Sequence, residues 1–238
     1  MADGNRCDRG YSGGEAVTFS IAAVCKETGE TGCAVSSSSI CVTSRCAFVG
    51  PGGAALTQNV TNPALGMQAI QLLKEGMAPQ QVIDTLLQDE HYPQWRQLLV
   101  VDSRGRSALF DGEKALGVVG RAKGDGCVAA GNLLADSRVP EAMVKAFENS
   151  EGQLADRLIL AMQAGVAAGG EAGPVYSAGL RVARPNIEWP VIDLRVDWHD
   201  SPIDSLYENW LRYAPQLEDY VMRAANPDAA PSYGVPGE

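Results

Sequence analysis

The sequence predicts a layered α+β domain, with strands and helices gathered into separate groups. Three observations lead there. Period-two runs come in clusters separated by pairs of helically spaced segments, in the order strands, helix pair, strands, helix pair, strands, helix. Neither a G-x-G-x-x-G turn nor a P-loop occurs, so a doubly wound nucleotide-binding sheet loses its main support. The chain has 238 residues, 45% of them hydrophobic and 20% charged, which suits one sizeable core with no linker to divide it.

The first strand is Thr18-Phe19-Ser20-Ile21-Ala22-Ala23-Val24, where Phe19, Ile21 and Ala23 alternate with Thr18, Ser20 and Ala22. Everything from Met1 to Glu15 is polar, Gly-rich and patternless, so the folded chain is expected to begin at about Thr18. Lys26 to Thr31 reads as a tight turn around Gly29, and Gly32 to Ser37 returns as the second strand. A run of four serines, Ser36 to Ser39, follows its end. Cys46 to Val49 and Gly53 to Thr57 are two further strands about Gly50-Pro51-Gly52.

Asn62 is a good N-cap and Pro63 suits a first helical position, opening a helix with Leu65, Ala69, Leu72 and Leu73 on its buried stripe. Gly76 ends it, and Pro79 opens a second helix with Val82, Ile83, Leu86 and Leu87 inward. Gln97 to Val101 and Arg106 to Phe110 form a hairpin. Short strands are predicted over 116–119 and 127–130, then helices over 140–148 and from Leu154 to Gly165. The Gly-rich stretch 167–174 is a loop, Tyr176 to Ala183 and Ile192 to Val196 are closing strands, and Ile203 to Met222 is helical with a break near Pro215. The domain thus covers 18–225, between an extension or propeptide at 1–17 and a loose tail from Asn226.

A net charge of −10 argues against nucleic acids and anionic membranes, which need a basic footprint. No apolar run approaches the roughly 18 residues of a membrane span. The first residues lack the basic start and apolar centre of a signal peptide, so a cytoplasmic location is expected. Six cysteines occur without a C-x-x-C pair, four of them in strand-like runs, and read as reduced, packed thiols. No pattern calls for a metal or an organic cofactor. The only histidines, His91 and His199, lie in polar loop-like stretches. A mechanism that needs no histidine is favoured.

Several segments carry a resemblance in their shared order and spacing. They are Thr18-Phe19-Ser20-Ile21-Ala22, Thr28-Gly29-Glu30-Thr31-Gly32-Cys33-Ala34-Val35, Thr57-Gln58 with Asn62-Pro63, and Arg96-Gln97. Gly131-Asn132-Leu133-Leu134-Ala135, the stretch from Ala164-Gly165 to Gly170-Glu171, and Ser177-Ala178 continue it. Together these resemble the bacterial domain-of-unknown-function family 1028 of the N-terminal nucleophile (Ntn) hydrolase superfamily, from Thr18 to about Val196. The resemblance implies a four-layer αββα sandwich, with two antiparallel sheets between helical layers. It also implies hydrolysis of a linear amide-type C–N bond of a small molecule by an N-terminal Thr at Thr18.

Such a Thr combines nucleophile and base, because its free α-amine, with a pKa near ~8, can accept the hydroxyl proton. Members of the family typically begin Met-Thr, whereas seventeen residues precede Thr18 here. Either the chain cuts itself between Val17 and Thr18, or Val17 is an alternative start codon. The second is preferred, because the extension has no folded pattern.

With Thr18, Asn132 is the second catalytic candidate, as an oxyanion donor. Gln58 and Ser177 are candidates to orient Thr18 or the substrate, Glu171 to hold a positive group or tune the amine, and Arg96 to pair with a carboxylate. By spacing alone Thr18 is an ordinary strand residue, Asn132 a strand-end cap, Gln58 a buried turn residue and Arg96 a salt-bridge partner. Ser38, or a neighbour, stands where the family often has Arg. The family's Gln-Gly-Asn is Ala130-Gly131-Asn132 here, and its Asp-x-Arg-Gly-x-Gln-Ser is Glu171-Ala172-Gly173-Pro174-Val175-Tyr176-Ser177. Two cationic or amide contacts are thereby missing, which leaves the recognised substrate group open. Two other functions fit the same fold: a non-catalytic small-molecule-binding protein, and an acyltransferase with the same nucleophile. The expected partner is a small-molecule amide, and a homo-oligomer is compatible with the sequence.

Overall fold

The computed structural model describes residues 18–235. The extension or propeptide at 1–17 and the end of the tail lie outside the described residues. Strands β1 (Thr18–Val24) and β2 (Thr31–Ser37) form an antiparallel hairpin. Gly29 closes its turn at φ 73°, a left-handed conformation that costs a residue without Cβ little. Helix α1 (Val42–Cys46) follows, then β3 (Ala47–Gly50) and β4 (Gly53–Asn59). Helix α2 (Pro63–Lys74) starts as its sequence requires: Asn62 Oδ1 accepts the Ala64 N–H at 3.2 Å, with Pro63 at the first helical position. After α3 (Pro79–Asp89), strands β5 (Arg96–Asp102) and β6 (Ser107–Asp111) form the predicted hairpin. The Asp102 carboxylate accepts the N–H groups of Arg104 and Arg106 and so shapes the turn.

Strands β7 (Gly120–Gly124) and β8 (Cys127–Asn132) precede helices α4 (Val139–Glu148) and α5 (Leu154–Ala167). Strands β9 (Ser177–Ala183) and β10 (Ile192–Val196) lead to α6 (Pro202–Tyr213) and α7 (Leu217–Ala225), separated by a 3-10 turn at Ala214–Gln216 where the break near Pro215 is predicted. In the tail, the Arg223 guanidinium donates to the Pro231 carbonyl and lies 3.9 Å from the centre of the Tyr233 ring.

Two local expectations are corrected. Residues 116–119 are not a strand: Gly117 sits at φ 61°, and the Leu116 and Val118 carbonyls accept from Leu133 and Leu134 beyond the end of β8. The strand lies one turn later, as β7. Helix α1 was not predicted, because one helical turn is too short to show a period.

All strand pairs are antiparallel. One sheet has six strands in the order β10-β9-β2-β1-β8-β7, the other four in the order β3-β4-β5-β6. Side-chain alternation assigns their faces. Phe19, Ile21 and Ala23 pack outward against Met143, Phe147, Leu158 and Met162 of α4 and α5, with Leu206 and Trp210 of α6 in the same cluster. Ala22 and Val24 face inward, meeting Leu56, Leu99 and Val101 of the other sheet. Leu98 and Val100 point out again, onto Val82, Ile83 and Leu86 of α3 and Leu65 of α2. The result is a mixed α+β domain in which two antiparallel sheets face each other and carry helices on their outer sides.

Helix α1 lies directly on β9. A Cβ at Gly179 would come within 2.0 Å of Thr43 Oγ1 and 2.6 Å of Thr43 Cγ2. Gly179→Ala is therefore expected to push α1 off the sheet at a cost of about 1–3 kcal/mol. A urea midpoint equal to that of the unsubstituted chain would show that the contact imposes no constraint.

Candidate active site

The gap between the sheets is apolar along most of its length and polar at one end. In β1 the inward parity of Ala22 and Val24 extends to Ser20 and Thr18; in β2 that of Cys33 and Val35 extends to Ser37. By the same count Asn132 of β8, Ser177 of β9, Gln58 of β4 and Gln97 of β5 face the gap. Register then aligns four of them as direct cross-strand neighbours: Ser177, Ser37, Thr18 and Asn132. All four are buried, Thr18 at 5% exposure and the others at 0%.

Two amides cross from the facing sheet. Gln58 Oε1 accepts the Ser20 hydroxyl at 2.6 Å, while Gln58 Nε2 donates to Gln97 Oε1 at 2.6 Å and to the Ala130 carbonyl at 3.3 Å. Gln97 Nε2 donates to Asp111 Oδ1 at 2.7 Å and to the Gly131 carbonyl at 3.2 Å. That leaves Gln97 Oε1 as the acceptor for Asn132 Nδ2 at 3.2 Å, which fixes the Asn132 amide with its Oδ1 buried and unpartnered. Unpaired buried acceptors are uncommon. This one stands beside Thr18.

On the other flank, Thr18 Oγ1 donates to Ser37 Oγ at 3.4 Å, and Ser37 Oγ lies 2.7 Å from Ser39 Oγ. The Ser177 hydroxyl is fully engaged: it donates to the Ser39 carbonyl at 2.6 Å and accepts the Val42 N–H at 3.2 Å. Ser177 thus ties the 38–41 crossover and the start of α1 to β9.

Glu171 lies across the end of β1. Ser38 follows one cross-strand neighbour of Thr18, and Leu133 and Leu134 follow the other. Glu171 Oε2 accepts the Ser38 N–H at 3.2 Å, and its backbone bridges to Leu134. The carboxyl is 6% exposed and its Oε1 has no partner. Burial pushes its pKa up to about 9, against a smaller lowering by the Ser38 backbone and side chain. It is therefore a neutral acid at pH 7.

The structure thus gathers Thr18, Asn132, Gln58, Ser177, Ser38 and Glu171 at one end of the gap. It does not bring Arg96 there. Arg96 shares the outward parity of Leu98 and Val100; it donates to the Val60 carbonyl at 2.7 Å and to Glu90 Oε1 at 3.2 Å. Of the two readings of Arg96, the structure has the salt bridge, buried and not exposed, and its place outside the gap removes it from the substrate-binding candidates. Ser20, Ser37 and Gln97 were not singled out from the sequence. The usable signal was parity: each is a polar residue two or four positions from an inward apolar one. His91 and His199 are exposed. The thiols of Cys33 and Cys127 are pushed up to about 12, mainly by burial, so neither is a thiolate at neutral pH. Among the described residues no three His, Cys, Asp or Glu side chains converge as a metal site, and no helix is long and apolar enough to cross a membrane.

Residues 18–206 match the model of the family described as "Family of unknown function (DUF1028)", and the chain belongs to this family. Among solved structures it is similar to protein SPO2555 from Silicibacter pomeroyi, whose description assigns it to the same family model. The two share 29% identity at a TM-score of 0.77, over 83% of this chain and 89% of that one. No curated protein matches.

Two outcomes test the site's electrostatics and packing. Gln97→Leu leaves Gln58 Nε2, Asn132 Nδ2 and Asp111 short of partners and is expected to cost about 2–4 kcal/mol, read from urea denaturation. For Glu171, the folded state holds a proton that the unfolded chain releases near the ordinary carboxylate range. Stability must then fall as pH rises from about 5 towards 9 and level off above. Glu171→Gln should flatten that slope in a series of thermal midpoints; an unchanged slope would refute the assignment.

Proposed function

We propose that this chain is an amidohydrolase of the N-terminal nucleophile type, built on the four-layer αββα sandwich of that superfamily, which opens a linear C–N bond through an acyl ester on Thr18. One observation carries the reading. A hydroxyl residue stands first in β1, in the middle of a buried row of polar side chains, and the family match starts at that same residue.

A chain that begins at Thr18, by initiation at the Val17 codon and loss of the initiator Met or by cleavage after Val17, has a free α-amine there. The amine takes the hydroxyl proton, directly or through one water, and Oγ1 bonds to the amide carbon. Asn132 Nδ2 spends one hydrogen on Gln97 and keeps the other for the oxyanion, while its unpartnered Oδ1 suits the N–H of the scissile amide. The C–N bond breaks as the amine returns its proton to the leaving nitrogen. Water then attacks the ester, giving a carboxylic acid and restoring the Thr18 hydroxyl. Gln58 acts one step back, by holding Gln97 and therefore the Asn132 amide plane. Glu171 is held between Ser38 and Leu134, the residues that follow the cross-strand neighbours of Thr18, and an ammonium at Thr18 would favour ionisation of its carboxyl.

Intact mass and N-terminal sequencing of the protein from its native host should give a chain beginning at Thr18. Against a panel of small linear amides, ureides and acyl amino acids, Thr18→Ala should lower turnover by roughly 10³-fold or more, with Thr18→Ser retaining part of it. A chain that keeps Met1 while turning over, or a fully active Thr18→Ala variant, would sink the proposal. Transfer of the acyl group to an added amine in preference to water would move it to the acyltransferase class.

A further inference from the structure

The hydroxyl chain beside Thr18 ends on a cation. From Thr18 Oγ1 it passes to Ser37 Oγ at 3.4 Å and to Ser39 Oγ at 2.7 Å, and Ser39 Oγ accepts from the guanidinium of Arg45 on α1. A second Arg45 donor goes to the Ile40 carbonyl. Two of its five N–H donors are thus committed to neutral oxygens. Among the described residues no carboxylate pairs with it, although acidic residues outnumber basic ones by 29 to 19. Arg45 is half-buried, and its two hydrogen bonds hold the guanidinium in place.

We propose that Arg45 is the specificity-determining residue of the site: it binds a carboxylate carried by the substrate, one carbon beyond the scissile nitrogen, which makes the substrate an N-acylated α-amino acid. The anion contact stands on geometry alone; the assignment of the scissile bond rests on the amidohydrolase reading above.

Three arguments support the class. The guanidinium is no more than three hydrogen-bond contacts from the Thr18 oxygen, within reach of the short skeleton joining an acyl carbon to an α-carboxylate. A planar fork with spare donors matches a carboxylate bidentately. One cation among neutral hydroxyls suits a monoanion better than a phosphate. The row is also polarised. Arg45 lies on the β2 side of Thr18, and the unpartnered Asn132 Oδ1, an acceptor for an N–H, lies on the β8 side. An N-acylated amino acid supplies both groups around one carbonyl. Its hydrolysis adds the elements of water across the C–N bond and gives a carboxylic acid and an amino acid.

The test uses N-acetylalanine and its neutral N-methylamide as probes of the protein beginning at Thr18 and of its Arg45→Gln and Arg45→Lys variants. Binding is read from thermal-midpoint titrations and turnover separately from product analysis. The carboxylate probe should bind at least tenfold more tightly than the methylamide. Arg45→Gln should abolish the preference for the carboxylate probe over the methylamide, while Arg45→Lys should keep part of it. Equal binding of the two probes, binding of neither, or a preference that survives Arg45→Gln would overturn the proposal. Carboxylate-selective binding without any hydrolysis would leave the Arg45 assignment standing and remove the amidohydrolase reading.

Discussion

The polar end of the domain depends on one pair of buried amides. Gln58 and Gln97 meet across neighbouring strands of the smaller sheet and reach the larger one through Ser20, Ala130, Gly131 and Asn132. Inside a protein such a network stabilises only when nearly every donor and acceptor is used. Here each glutamine is satisfied on both its oxygen and its nitrogen, and the deficit falls on a single atom, Asn132 Oδ1. The β1–β8 ladder keeps Thr18 and Asn132 side by side, and the amide pair fixes the facing sheet against them and sets the plane of the Asn132 amide. Elsewhere the gap is filled mainly by Ala, Val, Leu and Cys side chains, with Thr31 and Arg181 reaching across it to the Gly50 and Ala47 carbonyls.

How far the sequence could be read follows from what its period reports. Alternation located β1 and placed Thr18 at its head, and the pairing of Asn62 with Pro63 located the start of α2 to the residue. Both signals are local. The facing of Gln58 and Gln97 is not, since period two tells which residues share a face and not which face meets which sheet. Arg96 shows the cost: β5 is buried on both sides, so its sequence has no polar face to betray orientation, and the arginine turned out to serve Glu90. Residues 116–119 failed for another reason. Their apolar content was strand-like, but their partners are the residues beyond β8, and Gly117 turns the chain between them.

Burial and chemistry are set against each other at this end of the molecule. Glu171 is withdrawn from water with one oxygen unpaired, and Asn132 carries a second orphan acceptor. Each is unfavourable for folding by the desolvation of an unsatisfied group. Both lie around the same strand end; of the other buried unpartnered atoms among the described residues, Arg181 Nε borders the gap farther along, and Thr57, Arg96, Arg157 and Arg223 supply the rest. Two such conflicts on neighbouring segments, one of them a carboxyl group, are the kind of departure from best packing that a protein makes in favour of a site.

The crossover from β2 to β3 is tied to β9 through the Ser177 hydroxyl and the close contact of Thr43 with Gly179, while Val42 and Cys46 of α1 pack in the same core cluster as Leu56 of β4. The molecule is in this sense modular. One set of strands fixes the nucleophile and its neighbouring amide, and a short loop and single helical turn, hung from a different strand, supply the groups at the side. Residues of that crossover other than the buried Val42, Thr43 and Cys46 can exchange size or charge without disturbing the amide pair. Divergence among related chains should therefore accumulate at the crossover, while the Gln58–Gln97 pair and its partners change only together.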